Sequence, residues 1–100
     1  MIIIRMPVAK RCPYAAELDA GELTITLPGD APELHGLARQ IGTLGRDGLV
    51  GISHEEFSRQ VLGLLPRPAL VVTRWRTGPW DVEVRDGDDL LREPVELASA

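Results

Sequence analysis

The sequence predicts an α+β domain: an antiparallel four-stranded sheet carrying two helices on one face, in the order ββααββ. Three observations predict it. "GELTITL" alternates apolar and polar residues, the pattern of a half-buried strand. "DAPELHGLARQIGTL" and "SHEEFSRQVLGLL" set apolar residues at helical spacing behind capping residues. "ALVVTRW" and "WDVEVR" are β-branched and aromatic runs on either side of "RTGP", a hairpin pattern. An antiparallel sheet with both helices packed on one face is the natural way to bury these stripes.

Taken in order, residues 2–8 are apolar and β-branched and read as the first strand, with Pro7 at its end or on a sheet edge. In the second strand Leu23, Ile25 and Leu27 face one way, and Thr24 and Thr26 the other. "PGD" turns the chain into the first helix. Asp30 is placed to cap it, Pro32 suits its first turn, and Glu33 completes a capping-box spacing. Leu34, Leu37, Ile41 and Leu44 form its apolar face, and "GRDGLVG" breaks it as an interhelix loop. The second helix starts at Ser53, with Glu56 three residues on as a second capping box. Phe57, Val61, Leu64 and Leu65 form its core stripe, and "PRP" ends it. The hairpin of the last two strands follows. "DGDDLLREPVELASA", from about residue 86, reads as a peripheral tail. Residues 1–100 therefore form one domain.

The totals limit the function classes. A chain of 100 residues buries only about 60–70% of its unfolded surface, so self-association is a common remedy for its marginal core. No apolar run nears the roughly 20 residues of a membrane span. "MIIIRMPVAK" lacks the basic segment and the apolar length of a signal peptide, so a cytoplasmic protein with no membrane partner is expected. Cys12 is the one cysteine, which excludes an internal disulfide. The net charge is −4 and Lys10 is the one lysine. Nucleic-acid binding leans on cations that neutralise phosphates, so a small-molecule substrate is the better expectation.

Two constellations can carry chemistry. Cys12 lies between two predicted strands in "RCPYAAELD", and Asp19 opens the second of them. Thiolate is the reactive form of cysteine, and Lys10 and Arg11 just before it could favour it. A thiol that attacks an electrophile needs a partner to protonate what it attacks, and Asp19 can supply that proton. The plain alternative is a small buried cysteine beside a turn aspartate. In "ISHEEF", His54 and Glu55 fall in a helix's first turn, where the helix dipole favours carboxylates. Either both acids merely serve the helix end, or one grips a ligand's paired N–H groups in a fork while His54 relays a proton. His35, His54 and Cys12 show no ligand-type spacing, so no metal site is expected. No glycine-rich phosphate loop is present. Trp75 and Trp80 flank the hairpin turn; packing is the default for them, stacking on a flat heterocycle the alternative.

The order of elements, "CPYAAELD" and "SHEEF" together resemble the nitrile reductase family that acts on 7-cyano-7-deazaguanine, a tunnelling-fold family. Its hallmark is Cys-Pro, an Asp seven residues after the Cys, and a His-Glu pair opening the second helix. The resemblance runs from about residue 9 to residue 85. It implies that Cys12 adds to the nitrile carbon as a covalent thioimide, that Asp19 protonates the nitrile nitrogen, that Glu55 anchors the deazaguanine edge and that His54 assists proton transfer. It also implies a homo-oligomer, a barrel with sites between subunits.

The departures shape the expected reaction. The reductases carry a Glu-x-Lys-Ser-x-Lys type motif that serves NADPH. Here "ELHGLARQ" keeps Glu33, which the resemblance assigns with Glu55 to ligand binding, but has His35 and Ala38 in place of the lysines. Ser53 stands where an aromatic residue precedes His-Glu, and "RTGPW" replaces an Arg-Gly-Gly turn. A second branch of the family is short, lacks the NADPH motif, and keeps Cys, Asp and His-Glu-Glu, as this chain does. Its members let ammonia resolve the thioimide to an amidine, forming archaeosine within tRNA. The expected activity is thus thioimide formation on 7-cyano-7-deazaguanine or a derivative, resolved by ammonia or another nucleophile, without a cofactor. The acidic charge argues against tRNA as the partner. One alternative is an NADPH-dependent reductase whose Arg39, Arg46 and Arg59 replace the lysines; another is a non-catalytic purine- or pterin-binding module.

Overall fold

A computed structural model describes residues 1–15, 17–44 and 51–88. The elements run β1 (Ile2–Arg11), β2 (Leu18–Leu27), α1 (Leu34–Thr43), α2 (His54–Gly63), β3 (Leu70–Thr77) and β4 (Trp80–Gly87). The ββααββ order holds. The strands lie side by side in the order β1-β2-β3-β4, every neighbour antiparallel. Pro7 sits on β1, an edge strand, where a missing N–H costs no ladder bond on the free side.

Both helices bury into one face. Leu37 and Ile41 of α1 and Phe57, Val61 and Leu62 of α2 share a core with Val8, Leu23, Ile25, Leu27, Val71 and Trp75. The strand contributors alternate in sequence, as a pleated sheet requires. α2 lies over β3 and β4, and α1 lies against β1. On the other face Thr26 is also buried, beside its cross-strand partners Ile3 and Leu70.

Four local details differ from expectation. β1 and β2 are longer than residues 2–8 and 21–27, because their pairing continues to Arg11 opposite Leu18. A cross-strand partner, not composition, carries the chain through "AKR" and "LDA". α1 begins at Leu34, and its cap is Glu33, not Asp30. Pro32 disfavours helical backbone at the residue before it; Glu33 is extended, and its carboxylate accepts from the His35 and Gly36 amides. The box at α2 forms by half. Ser53 Oγ accepts from the Glu56 amide at 3.1 Å, but the Glu56 carboxylate turns to Arg59 and Gln60. The last hairpin closes with two residues, Gly78 and Pro79, since Thr77 pairs with Trp80. Gly78 has φ of +60°, a left-handed conformation that glycine tolerates and that a two-residue hairpin turn needs. The expected loop "GRDGLVG" lies outside the described residues except for Gly51, and so does the tail beyond Asp88.

Candidate active site

One end of the sheet gathers the chemistry. Lys10 and Asp19 are direct cross-strand partners on β1 and β2, on the same face as Val8 and Leu23. Lys10 is fully buried, and its Nζ donates to Asp19 Oδ2 at 2.8 Å. Asp19 keeps 16% of its side chain exposed. Its other oxygen has no hydrogen-bond partner among the described residues, so Asp19 joins a buried cation to a partly exposed carboxylate oxygen. The Lys10 ammonium also lies 5.0 Å from the centroid of the Trp75 ring, a cation–π arrangement.

Trp75 is the platform of this end. Its cross-strand partner is Gly21, and a Cβ there would lie 2.6 Å from the indole and 2.5 Å from the Arg74 carbonyl. Gly21 is the space the indole occupies. Trp75 Nε1 donates to Thr73 Oγ1 at 3.0 Å, and Thr73 in turn bonds Ser58 at 2.7 Å, a buried chain that fixes the ring. Phe57 meets the ring edge-on, 5.2 Å between centroids. His54 stacks on it at 4.9 Å with 13° between planes. His54 Nε2 pairs with Thr77 Oγ1 at 3.2 Å, while Nδ1 is buried with no partner among the described residues. Burial first, then the Lys10 charge, hold the His54 imidazole below its ordinary 6.5; Asp19 and Glu55 pull the other way.

Cys12 follows β1 directly. Its amide donates to the Glu17 carbonyl at 3.0 Å, which continues the ladder past Arg11 and Leu18. Cys12 is therefore two residues beyond Lys10, roughly 7 Å along the strand direction at about 3.3 Å per residue. Cys12 is half-buried, and its Sγ accepts from the Tyr14 amide at 3.5 Å. The start of α2 is pressed against this turn. Ile52 donates to the Arg11 carbonyl at 3.2 Å, and a Cβ on Gly51 would lie 2.4 Å from the Cys12 carbonyl carbon and oxygen. That contact brings His54 and Glu55 to the Cys12–Asp19 end. Arg11 Nε is buried there without a partner among the described residues.

Of the residues named from sequence, Cys12, Asp19 and His54 thus fall at one end of the molecule, with Glu55 beside them. Glu55 is exposed and makes no hydrogen bond or ion pair among the described residues. Glu33 is elsewhere employed, as the cap of α1, with His35 at 3.3 Å. Among the described residues no group of His, Cys, Asp and Glu could hold a metal ion. Arg39 is exposed, Arg59 is tied to Glu56, and Arg46 lies outside the described residues.

Three members take roles at this end that local pattern does not show. Lys10 had been placed beside Cys12 but not on Asp19; extending β1 by parity from Val8 would have put it on the core face. Thr77 carried no signal. Trp75 packs: it is buried and stacked by His54, whereas Trp80 is exposed. A concavity of about 660 Å³ borders Ala20, Gly21, Trp75 and Val82 and is otherwise lined by charged residues such as Glu22, Arg74 and Glu83. Those charges alternate to the far face of the sheet, so this hollow is not the Cys12–Asp19 end.

No protein-family model matches the chain. No curated protein matches it either. Among solved structures it is similar to the crystal structure of the archaeosine synthase QueF-Like in the apo form. The TM-score is 0.69 at 18% identity, over 85% of this chain and 89% of that one. At that identity the likeness is one of fold, and it spans most of both chains.

Proposed function

We propose that this chain is a nitrile-processing enzyme on 7-cyano-7-deazaguanine or a close derivative. Cys12 sulfur adds to the nitrile carbon; one carbon–nitrogen π bond breaks, and the nitrogen takes a proton delivered by Asp19. The product is a thioimide. Ammonia then attacks the same carbon, the carbon–sulfur bond breaks, and an amidine leaves with the thiol restored. No electron is transferred, so the sequence of steps needs no redox cofactor. Glu55 anchors the base's N–H edge, and neutral His54 moves protons from the Trp75 stack. The assembly that completes the site is a homo-oligomer.

The observation that carries this reading is the convergence of Cys12, Asp19 and His54 at one sheet end, through β1–β2 pairing and the Gly51–Cys12 contact. It is supported by the fold shared with an archaeosine synthase. The test is intact-protein mass spectrometry after mixing with 7-cyano-7-deazaguanine, without NADPH. The expected result is an adduct of the ligand's mass that is absent in Cys12→Ala and is released as an amidine by ammonia. Release as an amine, only with NADPH, would install the reductase reading. Absence of any adduct would remove the enzyme and leave a binding module.

A further inference from the structure

Lys10 is the one fully buried charged side chain among the described residues, and the chemistry proposed above does not use it. We propose that Lys10 is a positioning residue for proton transfer at Cys12, acting through Asp19. The inference rests on the reading of Cys12 as a nitrile-trapping nucleophile.

The argument is geometric. A carboxylate has two oxygens that rotate into each other's place. The 2.8 Å bond from Lys10 Nζ engages Oδ2, and cross-strand pairing fixes both backbones, so Oδ1 is the oxygen left without a hydrogen-bond partner among the described residues. The ammonium is itself confined by the Trp75 ring, which Thr73, Ser58 and Phe57 lock from behind. Oδ1 is thus the oxygen free to exchange a proton, on a carboxylate whose other oxygen is held.

The steps balance without help from outside. The Cys12 thiol proton passes to Asp19 Oδ1 as sulfur bonds to the nitrile carbon. The same proton then passes from Oδ1 to the nitrogen, whose π pair accepts it. Lys10 keeps its three protons throughout. Its fixed positive charge, in a water-poor pocket, opposes the negative charge that develops on sulfur and nitrogen along the way. Stability alone is a weaker account of this residue. A buried ion pair is commonly neutral, or worse, against a well-packed apolar replacement.

The test uses Lys10→Met, which fills the same space without charge, and the time course of adduct formation with 7-cyano-7-deazaguanine. The expected loss is about tenfold or more in the maximal rate, of the order found when one preorganised electrostatic group is removed. The ligand concentration giving half that rate is expected to stay within about twofold, because Lys10 does not touch the base. The decisive readout is a double-mutant cycle. Lys10→Met is expected to slow the wild type but not Asp19→Asn, since two residues that act as one step are not additive. Should Lys10→Met melt well below the wild type, Lys10→Gln, which can still hydrogen-bond Asp19 but lacks the positive charge the step requires, takes its place in the cycle with the same expected loss. A variant rate equal to wild type, or equal slowing in both backgrounds, overturns the inference while leaving the thioimide reading intact. A wild type that forms no adduct overturns that reading, and this inference with it.

Discussion

His54 joins the packing of this protein to its proposed chemistry. Its ring is one layer of the Trp75 stack, and burial beside Lys10 lowers its affinity for a proton below the ordinary 6.5. At neutral pH it is therefore a neutral imidazole, able both to give and to take a proton. The linkage has a definite sign. Between the lowered folded value and 6.5 the unfolded chain binds more protons, so stability rises with pH across that window and this contribution is level above it. As pH falls through the window, wild-type stability drops relative to His54→Phe, which keeps the stack but has no titrating ring. Urea midpoints of the two proteins from pH 5 to pH 8 measure it. Parallel curves would show that His54 titrates alike folded and unfolded. The sequence made Cys12, Asp19 and His54 visible because their types and spacing are chemical. Lys10 escaped because its meaning lies in a partner nine residues away across a strand pair. Glu33 was readable as part of a helix start, yet its carboxylate points back to the α1 amides.

Elements were readable where periodicity was clean and turn residues were emphatic. The hairpin of β3 and β4, the stripe of α2 and the alternation of β2 needed no tertiary information. Strand ends did need it: "LDA" and "AKR" are poor strand sequences made strand by each other. The approach to α2 is the feature that local pattern could not supply. Nothing in "VGIS" announces that Gly51 abuts the Cys12 carbonyl. A methyl group there must displace the Cys12 turn or the start of α2. Gly51→Ala is expected to cost about 1–3 kcal/mol, as overpacking does, and to slow adduct formation while every chemical group remains. Gly63→Ala is the contrast. Its added methyl meets open space at the last helical position, so a gain of about 0.5 kcal/mol is expected from the helix preference of alanine. Thermal melts with the adduct time course check both. Equal behaviour of the two variants would mean that the Gly51 contact yields freely and does not hold the site together.

At the scale of the whole molecule, the single chain leaves its working end uncovered. β1 and β4 are both edge strands, ten and eight residues long. Edges of that length offer unpaired backbone groups to another strand unless something covers them. Pro7 blunts one of them only locally. Tyr14 on the turn after Cys12, Leu18 at the start of β2, and Trp80 at the β3–β4 turn are exposed, as is Glu55. A base gripped by an exposed carboxylate competes with water for every hydrogen bond, and a wall from a second copy would remove that competition. We therefore expect the protein to assemble through its sheet edges. Light scattering during size-exclusion chromatography should return a multiple of 10.9 kDa rather than that mass itself. Trp80→Glu tests whether assembly and site depend on each other. If subunits complete the site, conditions or variants that shift the mass toward 10.9 kDa lower adduct formation in proportion. A 10.9 kDa species that forms the thioimide at the full rate would locate the entire site within one chain. Glu55 would then have to bind its ligand from the surface on which this structure displays it.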